Sequence, residues 1–79
     1  MYKIIKRKEV KIDMKGTVKK FYTEKGYGFI TTKDEPGDIF FHYSEIVSEG
    51  YKTVADGASV EFTLDYNERG KYAKGIVKL

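Results

Sequence analysis

The sequence predicts an all-β domain: a small five-stranded antiparallel barrel with a short N-terminal extension. Three observations lead there. Five short runs are rich in β-branched and aromatic residues, polar or glycine-bearing corners separate them, and no stretch sustains the 3.6-residue period of a helix. Strands with frequent turn signals and no long helix to cover them bury their apolar faces best by closing on themselves. At 79 residues the chain makes one such domain, able to bury about 60% of its unfolded surface.

The chain divides at residue 13. Residues 1–13, "MYKIIKRKEVKID", hold five basic side chains against Glu9 and Asp13, while residues 14–79 hold ten of each sign. The net charge of +3 therefore sits wholly in the leading segment. Such a segment suits an anionic partner, or is a solvated tail. Val10 and Ile12 alternate with charged residues, so an added edge strand stands open beside a disordered basic arm.

The strands follow in order. "KGTVKKFY" (15–22) is the first, closed by the corner "TEK"; "GYGFITT" (26–32) is the second. Pro36-Gly37 in "KDEPGD" fits the centre of a type II turn. "DIFFHY" (38–43) is the third strand. Residues 44–58 lack a sustained period and form a long irregular connection with one helical turn at "SEIV". "SVEFTLDY" (59–66) alternates cleanly, "NERG" is a turn, and "KYAKGIVKL" (71–79) is the last strand.

Alternation assigns the faces. Side chains two apart share a face of a strand, so Gly26, Gly28 and Ile30 face one way and Tyr27 and Phe29 the other. Val18, Ile30, Ile39, Phe41, Val60, Phe62, Leu64, Ile76 and Val77 supply ample apolar volume for the interior. Glycine on the inner face lets a strongly curved strand pack closely. Tyr27, Phe29, Phe40 and His42 are then left outside on two neighbouring strands.

Several functions are excluded or disfavoured. With no cysteine, neither a disulfide nor a thiolate metal site is available, which fits a cytoplasmic protein. No apolar run reaches the length of a membrane span or of a secretory leader. His42, the sole histidine, has no second ligand or nucleophile beside it, so no metal, cofactor or catalytic role is expected and the chain does not read as an enzyme. Contiguous outward rings among lysines suit single-stranded nucleic acid, whose bases stack on the rings while cations meet phosphates. The other open reading is a protein-interaction or self-associating barrel that uses the same patch or the N-terminal strand.

At "KGYGFI" and "DIFFHY" the chain resembles the cold-shock domain family, a five-stranded OB-fold barrel. The resemblance runs from about Met14 to Leu79 through "GTVKKF", "GYKTVADGASVEF" and "NERGKYAKGIVKL". It implies a binder of single-stranded, pyrimidine-rich RNA and DNA that works as an RNA chaperone or regulator of transcription and translation; a monomer is expected, with self-association open. It places the stacking platform on Tyr27, Phe29, Phe40, His42, Tyr43 and Tyr51, and polar or backbone contacts on Lys19, Lys25 and Arg69. Lys20 departs from the family: a Trp usually stands there, and this chain has none. Lys20 is expected to meet a phosphate instead, and Tyr22, where a small polar residue is usual, to shift the platform.

Overall fold

Alternating β-branched and aromatic residues fold into five strands: β1 (Asp13–Tyr22), β2 (Tyr27–Thr32), β3 (Glu35–His42), β4 (Ser59–Asn67) and β5 (Gly70–Lys78). The computed structural model describes residues 13–48, 50 and 52–79. The strands close into a barrel in the order β1-β2-β3-β5-β4. Every neighbouring pair is antiparallel except β3 and β5, which are parallel at Phe40 and Tyr72. A closed ring with an odd number of strands cannot alternate direction throughout, so one parallel pair is unavoidable. A 3-10 turn at Tyr43–Glu45 overlaps the helical turn expected at "SEIV" (44–47), starting one residue earlier. Among the described residues no helix is long and apolar enough to cross a membrane.

The core consists of Val18, Phe21, Ile30, Ile39, Phe41, Ile46, Val54, Val60, Phe62, Ala73 and Ile76. Two of the expected core residues differ: Leu64 only packs partly buried against it, and Val77 is 43% exposed. The reason for Val77 is a bulge. Glu61 pairs with Val77 but Thr63 pairs with Lys74, so Gly75 and Ile76 together face Phe62. Gly75 takes the left-handed φ of +60° that such an extra residue favours. Ala73 and Ile76 both turn inward as a result, and Val77 turns out.

A second bulge decides which way the lysines of β1 point. Val18 pairs with Ile30 and Lys20 with Phe29, leaving Lys19 as the extra residue. Strict alternation would send Lys20 inward with Val18; the bulge instead buries Phe21 and exposes both lysines. The loop after Val54 holds the bulge in place. Asp56 Oδ1 accepts the Phe21 N–H at 2.9 Å, Gly57 N–H donates to the Val18 carbonyl at 2.7 Å, and Val18 N–H donates to the Ala58 carbonyl at 2.9 Å.

Pro36-Gly37 is not the hairpin corner the sequence suggested. The corner is Lys33-Asp34, and Pro36-Gly37 lies inside β3 where the pairing slips between Ile39 and Glu35. Proline has no N–H to give a ladder and is tolerated at such a bulge, and Gly37 there adopts φ of +80°.

Candidate nucleic-acid interface

The outward face of β1, β2 and β3 carries two rows of side chains. One runs Lys20, Phe29, Phe40 across the three strands, and the other runs Tyr22, Tyr27, His42. The inward partner of this face is made by Gly28, which is paired with Phe21 on one side and Phe41 on the other. A side chain on Gly28 would meet the Lys20 carbonyl oxygen and lie 2.8 Å from the Phe41 ring. Without one, the Phe21 and Phe41 rings stack beneath it, 5.6 Å apart and 19° from parallel. Glycine thus lets two core rings press against the back of the strand whose front carries Tyr27 and Phe29.

The front rings touch one another. Tyr27 lies 6.0 Å from Phe29, 5.6 Å from Phe40 and 5.6 Å from Tyr22, and Phe29 lies 6.1 Å from Phe40. Mutual contact leaves Tyr27, Phe29 and Phe40 half-buried rather than fully exposed, which limits the cost of presenting them to water. His42 is exposed and its ring sits 4.8 Å from that of Tyr43. The His42 Nδ1 accepts the Ser44 N–H at 3.2 Å, capping the 3-10 turn, and lies 2.9 Å from the Ser44 hydroxyl. An acceptor at Nδ1 puts the proton of the neutral ring on Nε2. Tyr43 is 45% exposed and its N–H donates to the Gly26 carbonyl at 2.8 Å, tying it to the β1–β2 corner. Tyr51 lies outside the described residues.

The cations stand at the margins. Lys25, in the β1–β2 corner, and Lys20, on β1, each hold Nζ 5.9 Å from the centre of the Tyr22 ring. Lys19 pairs with Asp38 at 3.2 Å and Lys20 with Asp56 at 3.1 Å, both pairs well exposed. Exposed pairs of this kind contribute little to stability, so an arriving phosphate can exchange for the carboxylate. The Asp56 carboxyl is held below the usual carboxylate range, chiefly by the Phe21 N–H and then by Lys20. Arg69 sits in the β4–β5 corner, beside a cleft that Phe40 also lines. The structure therefore gathers Lys20, Lys25, Tyr27, Phe29, Phe40, His42 and Tyr43 around one face, with Lys19 and Arg69 at its edges.

Tyr22, expected to shift the platform, is 39% exposed and continues the ring surface from Tyr27; the bulge at Lys19 is what turns it outward with Lys20. One neighbour fell outside the expected set. Tyr72 pairs with Phe40 through the parallel closure of β3 and β5. That pairing joins segments remote in sequence and leaves no local trace.

Comparison with known proteins matches this arrangement. Residues 14–79 fit the family model described as the 'Cold-shock' DNA-binding domain. A cold shock-like protein of Thermotoga maritima is 52% identical over 63 residues, 80% of this chain and 94% of its own length. The cold shock protein CspA of Staphylococcus saprophyticus is 50% identical over 64 residues, covering 81% and 96% of the two chains. The cold shock protein of Arthrobacter globiformis is 49% identical over 61 residues, covering 77% and 91%. Among solved structures, the Drosophila Unr CSD456 fragment superposes with a TM-score of 0.76 at 23% identity, over 92% of this chain and 29% of that one. At that identity the likeness is one of fold.

Proposed function

The chain belongs to the cold-shock domain family of nucleic-acid-binding domains, and from that premise we propose that it binds single-stranded, pyrimidine-rich RNA and DNA as a monomer by stacking bases on its aromatic face. The observation that carries the reading is the continuous surface of Tyr22, Tyr27, Phe29 and Phe40, each ring within 6.1 Å of the next. A base offers a flat π-face to each ring at about 1–3 kcal/mol, whatever its identity. His42 and Tyr43 extend the surface past the end of β3, with Tyr51 as a further stacking residue. Lys19, Lys20, Lys25 and Arg69 receive the phosphates. The absence of cysteine suits work in the reducing cytoplasm.

An RNA chaperone needs no more than this. A protein that binds unpaired bases and ignores paired ones shifts weak hairpins toward the open form by mass action, without ATP. The same capture of nascent or leader RNA serves transcription antitermination and translational control. The test is a titration with a heptathymidine strand followed by tyrosine fluorescence, repeated with the strand held in a stable duplex. Paired bases present no free faces to the rings, so the duplex should bind far more weakly; equal affinities, or no binding of either, would leave the protein-interaction barrel as the better reading.

A further inference from the structure

We propose that the cleft between Phe40 on β3 and Tyr72 on β5 is an additional base-binding subsite, taking one unpaired base with its phosphate at Arg69. The proposal rests on the stacking role given above to Phe29 and Phe40. Closing the barrel pairs Phe40 with Tyr72 in parallel, and partners in a sheet point to the same side. Ala73, the next residue, is fully buried and Tyr72 is half-buried, so Tyr72 stands on the outer face beside Phe40. The Phe40 ring touches those of Tyr27 and Phe29, whereas no ring contact joins it to Tyr72. The two instead line one cleft, together with Asn67, Glu68, Arg69 and Lys71. A cleft with an aromatic ring at Phe40 and another at Tyr72, edged by polar and charged side chains, suits a planar base with its phosphate.

The cations at this cleft differ in availability. The Lys71 ammonium donates to Glu35 Oε1 at 3.3 Å and to the Pro36 carbonyl. The Arg69 guanidinium has no hydrogen-bond or ion-pair partner among the described residues. Its backbone is nonetheless fixed: the Arg69 N–H donates to Asn67 Oδ1 at 2.8 Å, and Gly70 completes the corner at φ of +119°. A free guanidinium on a pinned corner is placed to grip a phosphate. Glu68 on the same cleft opposes a second one, which limits the subsite to a single nucleotide. The outer row then reads Lys20, Phe29, Phe40, Tyr72, with a cation at its β1 end and a ring at its β5 end. Base stacking on this chain runs toward β5.

The full chain contains no tryptophan, so Tyr72→Trp installs a lone indole at the subsite. Heptathymidine should quench its emission, with affinity at least equal to the parent's. Tyr72→Ala should weaken binding of the same strand about tenfold with little change in melting temperature, while Tyr72→Phe keeps it. Arg69→Gln should flatten the slope of log K against log salt by about 0.7. Phe29→Ala separates the two readings. Loss of binding in Phe29→Ala, with Tyr72→Ala unchanged and the indole unquenched, overturns the subsite and leaves the platform standing. Unchanged binding in Phe29→Ala overturns the platform, and the subsite with it. Should Tyr72→Ala melt early, quenching in Tyr72→Trp alone decides.

Discussion

Phe29 and Ile30 are adjacent in β2 and face opposite ways, so truncating each should separate binding from stability. Ile30 is 0% exposed in the core, paired with Val18 and Ile39 on the two flanking strands. Ile30→Ala deletes buried carbon and leaves a cavity, costing about 2–5 kcal/mol. A domain of this size has roughly 4–12 kcal/mol in total, so the melting temperature should fall by roughly 8–40 °C. Phe29→Ala removes two edge-on ring contacts, to Tyr27 at 84° and Phe40 at 70°, at about 0.5–1.5 kcal/mol each when well formed. On a half-open surface the low end applies, near 1–2 kcal/mol in all. Its larger signature should be a loss of about 1–3 kcal/mol in single-strand affinity, whereas folded Ile30→Ala should bind normally. Urea melts and oligothymidine titrations below each variant's melting point give the two numbers. The assignment of faces fails if Phe29→Ala unfolds the domain as severely as Ile30→Ala while its folded fraction still binds at full strength.

Four further outcomes are expected. Gly28→Ala should lose about 1–3 kcal/mol in denaturant melts, because its Cβ meets the Lys20 carbonyl and the Phe41 ring. Asp56 stabilises the fold as a carboxylate, so that contribution is complete above the ordinary carboxylate range and is lost as pH falls through its lowered folded-state value; Asp56→Asn should melt earlier at pH 7 and change less on acidification. Lys20→Trp should restore a ring beside Phe29, tightening single-strand binding by about 1–3 kcal/mol while flattening the salt slope by about 0.7. Removing residues 1–12 takes away five cations and keeps Asp13 on β1; we propose that they act as an arm along the nucleic acid, so the salt slope should flatten by about one to two units. A fall in melting temperature with an unchanged slope would identify an added edge strand instead.

Where strands run regularly, residue alternation alone is enough to read them. In β2 and the second half of β3 the two-residue period placed Ile30, Ile39 and Phe41 inside and Tyr27, Phe29 and Phe40 outside, as the structure has them. Alternation failed wherever a bulge adds a residue. The Lys19 bulge buries Phe21 through bonds from the distant loop at Asp56 and Gly57, and the Gly75 bulge turns Val77 outward. Ile46 and Val54 join the core from the irregular connection, where no period marks them. The lysines were legible as cations but not as partners of Asp38 and Asp56, since those pairs join residues 19 and 36 positions apart. Tyr72 is the clearest instance: it becomes a neighbour of Phe40 only when β5 closes the barrel.

The central claim is that unpaired bases stack on one face of the barrel, and ring-proton NMR of the full chain during titration with heptathymidine addresses it most directly. Stacked bases shield the protons they cover, so the resonances of Tyr27, Phe29 and Phe40 should move upfield together and saturate at one equivalent. Those of the buried Phe62 ring and the amides of Lys15, Thr31 and Lys33, which lie around a separate surface hollow or in the core, should barely change. Shifts confined to that hollow, with the three platform rings unmoved at saturation, would contradict the account.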